Sequence, residues 1–138
     1  MKRALSVFLA VLFLTAIFTV PANARASNQI AGYSVTVTPL GSGSIRVVVS
    51  VSGTHNQMTR IGFPSITLYE RNNSNSSWGI VRVEGARYNP NSLAGSHSYS
   101  FIYQGVAGRQ YYAGSQFFAR DSLGSDTRSA SSPTVTAS

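Results

Sequence analysis

Two histidines, His55 and His97, and four carboxylates, Glu70, Glu84, Asp121 and Asp126, are the residues best suited to proton transfer or metal binding in this sequence. A metal site needs two or three such ligands converging. The histidines stand 42 positions apart among polar residues, and the chain has no cysteine to complete a set. Surface histidines are expected, with no metal and no cofactor. Glycosidase chemistry needs a pair of carboxylates across a cleft. Asp121 and Asp126 instead flank a turn, where an aspartate side chain bonds backbone two residues on. No Gly-x-Ser-x-Gly elbow and no phosphate-cradling glycine loop occurs. Catalysis is not expected.

Surface contact is better provided for. After residue 24 the chain has nine arginines and four carboxylates, a net charge of +5. The arginines are spread singly, which reads first as a solvated surface and second as a surface for polyanions outside the cell. No basic cluster points to nucleic acid. Aromatic rings are numerous, and an exposed ring offers a π face to sugar C–H groups or to another protein. Trp78 and Tyr88 lie near loops and are the best candidates for an exposed patch, with Arg60, Arg82 and Arg87 as candidate cationic partners. Tyr99, Phe101 and Tyr103 share one face of a strand, a pattern of core rather than platform.

These residues need a scaffold outside the cytoplasm. Met1-Lys2-Arg3 is a basic start, Ala4 to Val20 is 17 residues without a charge, and Ala22 and Ala24 are the small residues a signal peptidase reads. A signal peptide over 1–24 is expected, with a second small-x-small site placing the bond after Ala24 or Ala26. An uncleaved anchor is the alternative, since ~17 apolar residues can just span a bilayer. Cleavage leaves one domain, 25–138, whose 114 residues can bury about two thirds of their unfolded surface without disulfides. A secreted monomer with no permanent membrane anchor is expected.

Apolar residues in that domain recur every second position, the period of a half-buried strand. Tyr33, Val35 and Val37 alternate with polar residues before a Pro-Leu-Gly-Ser-Gly turn, and Ile45, Val47, Val49 and Val51 follow. Further strands are predicted at Ile66 to Tyr69, Trp78 to Val83, Tyr99 to Tyr103, Tyr111 to Ala119 and Thr127 to Thr136. The last is weakened by Pro133, which suits an edge. Gly53 to Arg60 reads as a polar connection, Arg71 to Ser77 as an exposed Asn/Ser-rich loop, and Glu84 to Ser96 as the longest irregular stretch. Seven short strands without a helix predict an all-β, antiparallel two-sheet sandwich, with a closed barrel as runner-up. In the sixth strand Tyr111, Ala113, Ser115, Phe117 and Ala119 form the more apolar face and are expected inward.

A tyrosine following Val106-Ala107-Gly108, a strand ending in Ala119, and then Asp121, Gly124 and Ser125 resemble the last hairpin of fibronectin type III modules. Tyr111 or Tyr112 would then be the corner tyrosine, whose hydroxyl returns to backbone a few residues upstream. The tryptophan of such modules' second strand is replaced by valines, and Trp78 sits on the fourth. Gly53-Thr54, Met58 to Gly62, Ile66 to Glu70, Tyr111 to Ala113 and Gly124 to Thr127 are similar to an uncharacterised group of small secreted proteins of Gram-positive bacteria. That resemblance implies export and a fibronectin type III-like, immunoglobulin-like sandwich, and no activity.

The expected function is therefore non-catalytic binding of an extracellular protein or of a cell-envelope glycan or other cell-wall polymer. The alternative is a diffusible effector or inhibitor acting through the loops Gly53 to Arg60 and Glu84 to Ser96. A hydrolase ranks last.

Overall fold

The computed structural model describes residues 29–138; the signal peptide expected over 1–24 lies outside the described residues. Ten strands follow in order: β1 (Ile30–Gly41), β2 (Ser44–Gly53), β3 (Arg60–Phe63), β4 (Ile66–Arg71), β5 (Gly79–Glu84), β6 (Arg87–Tyr88), β7 (Ser96–Gln104), β8 (Gln110–Arg120), β9 (Ser125–Ser131) and β10 (Val135–Thr136). They form a three-stranded sheet, β1-β2-β7, and a larger sheet in which β8 is flanked by β3 and β4 on one side and β9 and β10 on the other. All pairings are antiparallel. The chain is a two-sheet sandwich compatible with an immunoglobulin or fibronectin type III-like fold.

The ten elements collapse onto seven lines. β3 and β4 run end to end along β8, interrupted only where Pro64-Ser65 shifts the register. Past a bulge opposite Leu68–Tyr69, β5 and β6 share one register against β4 and β3, since Ile66 faces Glu84 and Gly62 faces Tyr88. The two extensions were not legible in sequence because β3 is only four residues long and β6 only two. Each is held by a long neighbour rather than by its own pattern. Met58 also corrects the reading of Gly53 to Arg60 as a purely polar connection: it is wholly buried and bridges Ala94. The last predicted strand splits at Pro133 into β9 and β10, an edge line as expected.

Period-2 alternation fixes the core. Val35, Val37, Ile45, Val47, Val49 and Val51 face Ile61, Phe63, Ile66, Leu68, Tyr111, Ala113, Phe117 and Ala119 across the sandwich. The predicted inward face of β8 is the buried one. Tyr111 is the corner tyrosine: the Val106 N–H donates to its hydroxyl at 2.9 Å, and that hydroxyl donates to Glu70 at 2.5 Å. Burial and the Glu70 carboxylate push the phenol pKa up to about 12.

Candidate functional site

The same alternation that sends Tyr111 and Phe117 inward sends Tyr112, Gly114, Gln116, Phe118 and Arg120 to the outer face of the larger sheet. Pairing brings Thr67, Tyr69 and Arg71 of β4 and Arg60 and Gly62 of β3 to that face beside them. Two aromatic groups result. At one end Tyr69 and Tyr112 stack at 4.6 Å, Trp78 meets Tyr112 edge-on at 4.6 Å, and the Arg71 guanidinium lies 4.4 Å over the indole. At the other end Tyr88 meets Phe118 edge-on at 6.1 Å, with Arg60 4.0 Å over the Tyr88 ring. Gly62 lies between β6 and β8, and a Cβ there would collide with the Arg87 carbonyl and Tyr88. Its lack of a side chain lets the Tyr88 ring reach Phe118. Tyr112 and Phe118 are six residues apart on one strand, about 20 Å. Between them an open groove of about 320 Å³ is lined by Thr67, Tyr69, Gly114, Gln116, Ser129 and Ser131.

The charges on this face are unbalanced. Arg60 and Arg120 are direct cross-strand partners and both are exposed. Like charges directly opposite destabilise a sheet. Among the described residues neither they nor Arg71 has a carboxylate partner, because all four carboxylates are engaged elsewhere. Glu70 binds Arg109 at 2.6 Å, and Asp126 binds Arg128 at 3.2 Å. Asp121 accepts the Leu123 and Gly124 N–H groups, the turn chemistry expected of it, and contacts His55 Nε2 at 2.9 Å. Led by the Leu123 N–H, and against burial, these bonds hold its carboxyl below the usual range.

Glu84 organises the remaining two candidates. Its carboxylate is nearly buried and receives Arg82 Nε at 2.6 Å, Arg87 Nη2 at 2.9 Å and the Tyr99 hydroxyl at 3.1 Å. Burial raises its pKa, but the hydrogen bonds from Arg87, Arg82 and Tyr99 outweigh that and bring it below the ordinary carboxylate value. Arg82 also lies over Phe101 at 4.5 Å and Arg87 over Tyr99 at 5.0 Å. Of the five residues singled out in sequence, Trp78, Tyr88 and Arg60 share the outer face of the larger sheet. Arg82 and Arg87 instead close the side of the sandwich between β5, β6 and β7.

The histidines are built into structure. His55 Nδ1 accepts the Gln57 N–H at 3.1 Å while Nε2 faces Asp121, so both ring nitrogens are engaged. His97 differs from the surface histidine expected: it is partly buried, stacked on Phe63 at 5.4 Å, and burial lowers its pKa. No group of three or more potential metal ligands occurs among the described residues.

Sequence reasoning missed Tyr69, Arg71, Tyr112, Phe118 and Arg120. The outer face of β8 was legible as a face. Its continuation across β3 and β4 depends on sheet pairing, which no local pattern specifies. No family model matches the chain, and no curated protein matches it significantly.

Proposed function

We propose that the chain is a secreted, non-catalytic module that binds an anionic cell-envelope glycan or related cell-wall polyanion along the outer face of its larger sheet. The observation that carries this is the Arg60–Arg120 cross-strand pair, exposed and without a carboxylate among the described residues, on the same face as two ring clusters about 20 Å apart. An extended polymer lying along β8 meets Arg71 at one end and the Arg60–Arg120 pair at the other. Its sugar rings meet Trp78 and Tyr88, and its hydroxyl groups meet Gln116, Thr67 and Ser129 between them. The resemblance to small secreted proteins of Gram-positive bacteria supports export.

The test is retention of the purified protein on isolated cell-wall sacculi, with and without their anionic polymers, at low and physiological salt. Retention that falls with salt and with polymer removal, and falls at least tenfold in an Arg60→Ala, Arg120→Ala double variant, is expected. Retention insensitive to both treatments and lost in Trp78→Ala would identify a neutral glycan instead. No retention would overturn the proposal.

A diffusible effector is the second reading. Leu93 is 59 % exposed at a positive φ of 62°, and Leu123 is 87 % exposed at the β8–β9 turn. Positive φ is strained for leucine, and such strain concentrates at contact sites.

A further inference from the structure

Each sheet in a sandwich ends in strands whose outer backbone groups have no partner, and proteins usually blunt such edges with charge, proline or bulges. Three of the four edge lines here are blunted. β1 carries Pro39 and a register shift near each end. The β5–β6 line carries Arg82, Glu84 and Arg87, and the β9–β10 line carries Asp126, Arg128 and Pro133. β7 has none of these devices. Its nine residues, SHSYSFIYQ, contain no charge, proline or glycine, and they pair with β2 without a register shift.

The phase of its hydrogen bonds follows from its two ends. Gly53 N–H bonds Gly95 at 2.8 Å, and Gly105 N–H bonds the Gly43 carbonyl at 3.2 Å. Both pairs keep the β2–β7 register, so the odd-numbered residues of β7 exchange backbone bonds with β2. The even-numbered residues, Ser98, Ser100 and Ile102, therefore direct N–H and C=O away from the sheet. The Ser96 carbonyl follows the same phase and is taken by the Asn89 side chain at 2.9 Å. Beside the open stretch lies a depression of about 580 Å³ lined by Arg46, Val48 and residues 98–102.

Guanidinium groups flank this edge on both sides. Arg46 faces Ile102 on the outer face of the sheet and has no carboxylate partner among the described residues. Arg82 and Arg87 lie over Phe101 and Tyr99 on the inner side, sharing the single carboxylate of Glu84. A second copy would bring the same positive charges against them. An acidic strand would meet them with opposite charge.

We propose that β7 is a strand-addition site for an extended, acidic segment of a partner protein, paired antiparallel or parallel through Ser98, Ser100 and Ile102. Backbone bonds supply the affinity, and Arg46, Arg82 and Arg87 select for carboxylates over a second copy. The open backbone of the site lies in the smaller sheet, and the site shares no side chain with the Trp78–Tyr88 face, although Arg82 and Arg87 reach it from β5 and β6.

The experiment uses two synthetic nine-residue peptides, one alternating valine with glutamate and one alternating valine with lysine, added to the purified protein. Binding is read by fluorescence anisotropy, and amide hydrogen exchange locates it. The glutamate peptide is expected to bind at least tenfold more tightly than the lysine peptide and to slow exchange at Ser98, Ser100 and Ile102. Ser100→Pro removes an outward N–H without touching the β2 ladder, so it is expected to stay folded and lose at least tenfold in affinity. Ile102→Pro serves the same purpose if the first variant does not fold. Equal binding of both peptides, unchanged affinity in a folded proline variant, or protection elsewhere would overturn the proposal. So would β7 protection that grows with protein concentration alone, which would assign the edge to a second copy.

Discussion

Two pairs of arginines in this protein lie over aromatic rings, and they differ in one respect. Among the described residues, Arg60 over Tyr88 and Arg71 over Trp78 have no carboxylate partner, whereas Arg82 over Phe101 and Arg87 over Tyr99 share Glu84. The ring contact is common to both, worth about 0.5–1 kcal/mol where exposed. The buried acid decides the role. Where it is present, the guanidiniums are oriented and close one side of the sandwich. Where it is absent, positive charge faces solvent with rings beside it, an arrangement that stability alone does not call for.

Glu84→Gln removes the difference between the two arginine pairs. Removing the acid leaves two adjacent cations and the Tyr99 hydroxyl without their charged partner. The expected loss is about 2 kcal/mol, at the lower end for a broken buried pair because both guanidiniums reach solvent. In thermal unfolding it would appear as a fall of about 10 °C in Tm. Sacculus retention of this variant should not fall, because the open face is untouched. An unchanged Tm would show that Glu84 is not the organiser of that side.

Arg60→Ala with Arg71→Ala gives the opposite outcome. Anionic-polymer binding should drop about tenfold while stability falls by about 1–2 kcal/mol, since the two ring contacts are lost together with the Arg71 hydrogen bonds to Gln110 Oε1 and the Ser74 carbonyl. A large loss of stability with unchanged binding would reverse the roles of the two pairs.

Acid separates the pairs without mutation. The folded-state pKa of Glu84 lies below its unfolded value, so the unfolded chain binds more protons as pH falls. Its contribution is complete above the ordinary carboxylate value and is lost as pH drops through the depressed one. Denaturant midpoints measured down the acid limb should therefore fall less in Glu84→Gln than in the parent chain. Tyr111 has the opposite sign: its raised pKa keeps its contribution complete below pH 10 and removes it between 10 and about 12. Tyr111→Phe should flatten that alkaline limb, a smaller effect because Glu70 keeps Arg109.

Much of this was legible in the chain. Alternation located seven strand lines and the buried face of β8, because a side-chain period of two survives in any sheet. Tyr111 was narrowed to one of two residues by its place after a turn. The short strands β3 and β6 were not legible, since two to four residues carry no periodicity of their own. The candidate face was half legible: Trp78, Tyr88 and Arg60 were singled out, but Tyr69, Tyr112, Phe118 and Arg120 were not joined to them.

An all-β chain with an inward and an outward set of residues on each strand is written in the order of its residues. Those properties follow from local alternation and turn chemistry. Which arginines are clamped by a carboxylate and which are not depends on how the strands pair and pack. Glu84 is two residues from Arg82 and three from Arg87, and proximity alone would not predict its burial. The Arg60–Arg120 pair joins residues 60 positions apart. That juxtaposition is set by how β3 registers against β8, and with it the balance of charge on the face.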